Sequence, residues 1–368
     1  MGHPLQLIHI SGELPPTVGG IADYTSILSR RLVEVPDLSV EPTLVLAGRR
    51  KADSIETTFP VTDLSGECSA AVLANTVKQL AQDWDGSSVI LLEYSGYGYA
   101  RRGAPIWLYW GLRRGCREGR IPLLMMAHEL YATGPPWTSA FWMSPLQRFV
   151  VAGLARLSEG VATNRILSAQ WLRRYARENT PVRVQPVFSK VGEPDPLPPF
   201  EERESHAIVF GGGAMKTRLY ETLRHAKLLS ELGIDRVVDL GGRDETPDSV
   251  RGIPVEAHGI QLASTISAHL QRARIGLLQY PVDYLTKSGI WAAYAAHGLP
   301  CVVVSEPAPS DPLEDGHHFL RADPEGSISE IPDLEAVGRR AREWYRAHAH
   351  SENAARLFHS LIEAPSLA

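Results

Sequence analysis

A chain of 368 residues is long for one ordinary domain and suits two, each able to bury a core of its own. With 44% hydrophobic and 21% charged residues it has the balance of a globular protein, which excludes disordered and fibrous classes. A net charge of −5 gives no general attraction for phosphate backbones and argues against nucleic acid as a partner.

The start MGHPLQLIHISG lacks a basic stretch followed by an apolar one, and no apolar run approaches the ~20 residues of a spanning helix, so the default expectation is a cytoplasmic protein. Cys68, Cys116 and Cys301 show no metal-ligand spacing and read as core or surface thiols in a reducing compartment. Residues 5–10 are a short apolar run ending at SGELPPTVGG, after which Ile21, Ile27, Leu28 and Leu32 fall at helical spacing. This predicts strand, glycine-rich loop, helix. The alternation continues through 42–47, 70–82, 88–92, 121–126 and 147–157, as in a parallel sheet covered on both faces.

Proline and charge concentrate at 181–204, which disfavours regular elements. The pattern then restarts with a strand at 207–210, GGGAMK, a helix at 219–232, a strand at 236–240 and GGRDE. A helix at 262–272, a strand at 275–279, a helix at 288–297 and a strand at 301–304 follow, and the tail 334–361 reads as helical with Val337, Ala341, Trp344 and Tyr345 on one face. The expected organisation is therefore a Rossmann-like domain over 1–185, a linker at 186–204 and a second Rossmann-like domain over 205–345. Residues 346–368 form a terminal helix able to pack back on the first domain.

Gly19 and Gly20 lie between a strand end and a helix start, where backbone N–H groups can approach an anion; a tight turn is the plainer reading. Around them PPTVGGIADYTSILSRRL, and far downstream GLPCVVV, resemble the two ends of a family-four glycosyltransferase. The matching positions at the start are Pro15, Pro16, Gly19, Gly20, Asp23 and Tyr24. AHEL at 127–130 and FGGGAMK at 210–216 are similar to the family's strand-ending His-acid pair and phosphate-binding segment; 257–281 and 288–304 resemble its donor-binding stretch. The resemblance implies the GT-B fold, two Rossmann-like domains with parallel sheets facing across a cleft, acceptor on the N-terminal side and nucleotide on the C-terminal side.

It also implies transfer of a sugar from a nucleoside-diphosphate sugar to a hydroxyl acceptor with retention of configuration. No separate cofactor is expected, the nucleotide sugar being a co-substrate, and no metal, since lysine, arginine and helix amides can neutralise the leaving diphosphate in this fold. One departure is large: the family's pair of glutamates would fall at Leu285 and Ala293. Asp283 is a candidate to replace the sugar contact, and Tyr294 or His297 the ribose contact. TKSG at 286–289 supplies Thr286, the Lys287 charge, the Ser288 hydroxyl and close backbone approach at Gly289 for the diphosphate. Gly212, Gly213, Lys216 and Arg218 are a second phosphate-binding group, with a solvated helix start as the plainer reading.

By the resemblance His128 contacts the donor sugar, and His258 and Ile260 lie where the family holds the nucleobase. His9, inside the first strand, reads as a packing residue. The catalytic candidates are His128, Lys287 and Lys216; an inverting enzyme would instead need a base, with His128 or Asp23 as candidates. The acceptor candidates are Tyr94, Tyr97, Tyr99, Arg101 and Trp137, from a stretch in which six arginines of 93–120 adjoin aromatic residues. That mixture suits either a lipid-linked acceptor at the inner face of a membrane or ordinary helix packing with a solvated basic face. A sugar-nucleotide epimerase or hydrolase, or a non-catalytic partner subunit, are the alternatives to a transferase.

Overall fold

The computed structural model describes residues 4–17, 19–36, 38–242, 246–310 and 312–363, so the last three residues of GGRDE and the end of the tail lie outside it. The chain divides into two compact units, residues up to Gln185 with those from Ser351 onward, and Pro186–His350.

In the first unit the chain runs β1 Leu5–Ser11, α1 Gly20–Val33, β2 Val40–Leu46, β3 Val61–Asp63, α2 Ala70–Gln82 and β4 Ser88–Tyr94. It continues through α3 Gly96–Tyr99, α4 Ile106–Gly119, β5 Leu123–Ala127, α5 Ser139–Leu157, β6 Gly160–Thr163, α6 Ile166–Arg173 and β7 Val182–Val184. The sheet order is β3-β2-β1-β4-β5-β6-β7 and every pairing is parallel. β1, β4 and β5 are buried almost along their whole length, as strands covered on both faces must be, which is why they read as apolar runs.

The second unit repeats the plan with β8 Glu204–Phe210, α7 Ala214–His225, α8 Leu228–Glu231, β9 Arg236–Leu240, β10 Ser249–Val250 and β11 Ile253–Gly259. α9 Ala263–Arg272, β12 Ala273–Gln279, α10 Gly289–Ala296, β13 Cys301–Val304, β14 Leu320–Ala322 and α11 Leu334–His348 complete it. Its order is β10-β11-β9-β8-β12-β13-β14, parallel except for the β10–β11 edge pair. Setting that edge strand aside, both sheets have the doubly wound order in which the chain reverses direction beside the first strand.

Three sequence expectations change. The helix expected at 219–232 starts earlier, at Ala214, and breaks at Ala226, whose buried side chain sits on extended backbone. The helical tail is two helices, because the amides of Ala349 and His350 both turn back to the Tyr345 carbonyl. The second of them, α12 Ser351–Ile362, packs on α1 within the first unit, where Arg31 Nε donates to Ser351 Oγ at 2.9 Å. Residues 186–195 are fixed in the second unit rather than running free: Ser189 N donates to Tyr345 Oη at 2.8 Å and Arg342 Nη2 to the Pro194 carbonyl at 2.9 Å. Among the described residues no helix is long and apolar enough to cross a membrane.

Candidate functional site

In a doubly wound sheet a crevice opens at the carboxyl ends of the strands where the order reverses. These points lie between β1 and β4 in the first unit and between β8 and β12 in the second.

In the second unit β8 ends at Phe210 and the chain passes through Gly211, Gly212 and Gly213 into α7. Gly211 donates to the Leu240 carbonyl at 2.9 Å, and Gly241 lies so close that a Cβ there would fall 1.8 Å from the Gly211 carbonyl oxygen. Gly213 has φ +77, a conformation favouring glycine, and open space surrounds it and Gly212. The loop therefore presents bare backbone at a helix N-terminus.

A second helix start adjoins it. A Cβ on Gly211 would meet Ile290 Cδ1 at 2.8 Å, which places the first turn of α10 beside the glycine loop. Ser288 caps α10, its Oγ accepting from Trp291 N at 3.1 Å. Thr286 is buried, Lys287 half-buried, and Asp283 half-buried in the 3₁₀ turn Val282–Lys287 that leads into the cap. A Cβ on Gly289 would meet Lys190 Cε at 3.1 Å and Nζ at 3.3 Å, so the Lys190 ammonium lies over the start of α10. Two helix N-termini, each worth about half a positive charge, thus converge at one switch point, with the Lys190 ammonium over the second of them.

Lys216 and Arg218 occupy opposite sides of α7. Lys216 is buried and donates to Asp239 Oδ1 at 2.7 Å and to the Gly242 carbonyl at 2.6 Å. Asp239 also accepts from Tyr220 and Thr246. Lys216 thus ties α7 and the loop after β9 together, while Arg218 is exposed. His258 is the last residue but one of β11, with its ring 5.0 Å from that of His269, and Ile260 beyond the strand is 73% exposed.

Leu285 and Ala293 are both buried, and a carboxylate at either place would lose its water. The alternative ribose partners are corrected by the same burial. Tyr294 donates to the Ile208 and Leu277 carbonyls, and His297 bonds the Ala293 carbonyl at 2.7 Å and Ser267 Oγ at 2.8 Å. Both are satisfied core residues.

In the first unit His128 follows β5 directly, and its Nε2 lies 2.6 Å from Glu93 Oε2 near the end of β4. The other oxygen of Glu93 is 2.8 Å from His9 Nε2, and His9 Nδ1 is 2.7 Å from Ser29 Oγ. Glu93 and His9 are fully buried, and Tyr24 packs edge-on against His128 with ring centroids 4.7 Å apart. Burial pushes the Glu93 carboxyl up, but hydrogen bonds from His128 and His9, with their charges, more than offset this and hold it below its ordinary value. His9 therefore belongs to a buried polar relay, which corrects its reading as a packing residue.

Gly19 caps α1 in an extended conformation, and a Cβ there would lie 2.5 Å from Glu13 Oε2. The anion beside that helix start is the chain's own carboxylate. Asp23 lies half-buried in the first turn of α1, three residues past the exposed Gly20. Of the acceptor candidates, Tyr97, Arg101 and Trp137 are exposed. Tyr94 and Tyr99 are corrected: both are buried in the core, and Tyr99 donates to the Glu93 carbonyl at 2.8 Å.

Lys190, Glu93 and Asp239 were not singled out from the sequence. Glu93 ends an apolar strand, and a charge at such an end is a legible signal of a strand-end site. Lys190 lies in a proline-rich stretch with no motif, so nothing local marks it.

No protein-family model and no curated protein sequence matches this chain. Solved structures do. A glycosyltransferase of Rickettsia africae superposes with a TM-score of 0.64 at 9% identity, covering 98% of this chain and 99% of that one. HepE of Anabaena, solved with UDP and glucose, gives 0.62 at 10% identity over 98% and 99% of the two chains. MnaA of S. aureus, solved with UDP, gives 0.54 at 11% identity over 100% and 98%. At such identities the likeness establishes the fold: two Rossmann-like domains of the GT-B class.

Proposed function

We propose that the protein transfers a sugar from a nucleoside-diphosphate sugar to a hydroxyl acceptor, with the nucleotide held by the second unit. What carries the reading is the convergence of the α7 and α10 N-termini beside the glycine loop, with the Lys190 ammonium over the start of α10 and Lys287 in the turn that leads into it. Two half-charges and the Lys190 ammonium sum to about two positive charges, and in this reading Lys287 supplies a third, which together balance a leaving diphosphate without a metal clamp. The likeness to HepE and MnaA, both solved with UDP, makes uridine the first base to test.

In this reading the anomeric C–O bond of the donor breaks with its electron pair passing to the diphosphate, and the acceptor oxygen bonds the same carbon. Retention follows if the acceptor approaches from the face the diphosphate leaves, handing its proton to a phosphate oxygen. His128, oriented by Glu93, then positions sugar hydroxyls. Asp283, Thr286, Ser288 and Gly289 serve the donor, His258 and Ile260 the base, and Tyr97, Arg101 and Trp137 the acceptor.

A second reading has its own observation. A carboxylate holding an imidazole through one nitrogen is how a general base is oriented, and the Glu93–His128 pair fits it. His128 would then take the acceptor proton and the product would be inverted. A thermal-shift panel of UDP, GDP, ADP and dTDP sugars identifies the donor, and NMR of the product's anomeric proton separates retention from inversion. Donor consumed with no acceptor present would favour an epimerase or hydrolase.

A further inference from the structure

A cavity of about 630 Å³ opens in the first unit at the amino edge of the sheet, where Ile121 and Pro122 lead into β5. Spanning the five residues of β5 at ~3.3 Å each puts it about 17 Å from His128 at that strand's far end. It is lined by Arg113, Arg117, Arg120, Arg156 and Arg177, with one carboxylate, Glu159. Arg177 is neutralised by Glu159 at 2.6 Å and also bonds the Ser158 carbonyl. Among the described residues the other four guanidiniums have no carboxylate partner; Arg113 lies over the Trp110 ring at 5.0 Å.

Arginines in last turns are often explained by the helix dipole, and Arg117 and Arg156 stand in the last turns of α4 and α5. The two C-termini supply only about one negative charge between them, which leaves roughly three positive charges uncompensated. These lie together in a chain whose net charge is −5. The backbone adds an independent sign. Arg120 has φ +53 at the end of α4, where glycine relieves the strain of the left-handed conformation.

We propose that this cavity binds a phosphate-bearing anion at a site separate from the sugar-transfer centre. Guanidinium groups pair bidentately with phosphate, and the set here is arginine throughout. The volume falls in the range of small-molecule sites and exceeds what a single orthophosphate fills. The walls formed by Tyr109, Ile121 and Leu157 suit an organic body attached to the phosphate. Such a ligand is either a free phosphorylated metabolite or a lipid headgroup. The proposal stands whether or not the protein transfers sugars.

The test uses the full chain in two arms: calorimetric titration with inorganic pyrophosphate, and co-sedimentation with phosphatidylglycerol vesicles against phosphatidylcholine vesicles. Binding in the first arm alone identifies a free anion, and binding to phosphatidylglycerol alone a headgroup; either supports the site. The double variant Arg117→Ser/Arg156→Ser should weaken that binding at least tenfold. Arg120→Gly should weaken it severalfold while leaving Tm equal or higher, an outcome that a structural role for Arg120 does not give. Absence of binding in both arms, or affinity unchanged in the variants, overturns the proposal.

Discussion

Glu93 Oε2 lies 2.6 Å from His128 Nε2, which makes a fully buried acid the anchor of the residue that follows β5. Because the folded carboxyl titrates below its ordinary value of 4.5, its stabilising contribution is complete above that pH and is lost as pH falls through the folded value. Glu93→Gln should therefore flatten the fall of Tm below pH 4.5. Glu93→Ala, which strands both imidazoles, should cost roughly 3–5 kcal/mol in denaturant unfolding. In the transfer reaction Glu93→Gln should lower kcat and leave donor Kd unchanged.

His297 gives a second acid transition at higher pH. Burial lowers it to about 4 from an ordinary value of 6.5, so it is neutral when folded. Stability is complete above pH 6.5 and falls between 6.5 and 4, by roughly 3 kcal/mol at most for a shift of this size. Unfolding curves of His297→Gln should show a shallower decline over that window.

Lys216 should prove structural in its energetics. Removing it leaves Asp239 buried without its cation, so Lys216→Met should destabilise by roughly 3–5 kcal/mol. The double variant Lys216→Met/Asp239→Leu should recover much of that loss in the same assay. A single variant with wild-type Tm would contradict the buried pair.

The glycine loop should be intolerant at Gly241, where an added Cβ would lie 1.8 Å from a carbonyl oxygen that cannot move without shifting the Gly211 turn. Gly241→Ala should lower Tm and abolish nucleotide binding together. Gly212→Ala, with open space around it, should leave Tm near wild type.

The sheets were legible because parallel strands buried on both faces must be apolar runs, and 236–240 and 301–304 coincide with β9 and β13. The short β6 and β7 were not, since four and three residues carry no periodicity. At the site, Ser288 and Gly289 announce themselves through helix-start chemistry and Gly211 to Gly213 through glycine spacing. Glu93 carries a local sign, a charge near the end of an apolar strand, whereas His9 and Lys190 depend on contacts across long sequence separations, which no local pattern encodes. Tyr94 and Tyr99 misled because an aromatic beside arginines looks alike in sequence whether it faces solvent or core.

The central claim is that a nucleoside diphosphate binds where α7 and α10 begin. Calorimetric titration of UDP, then GDP, ADP and dTDP, into the wild type and Lys190→Ala/Lys287→Ala tests it most directly. The account predicts binding of one of the four by the wild type, weakened about 10–100-fold in the double variant, in line with losing two charge-assisted contacts of about 1.5 kcal/mol each or less, with Tm close to wild type. No binding of any of the four, or equal binding by both proteins, would contradict it.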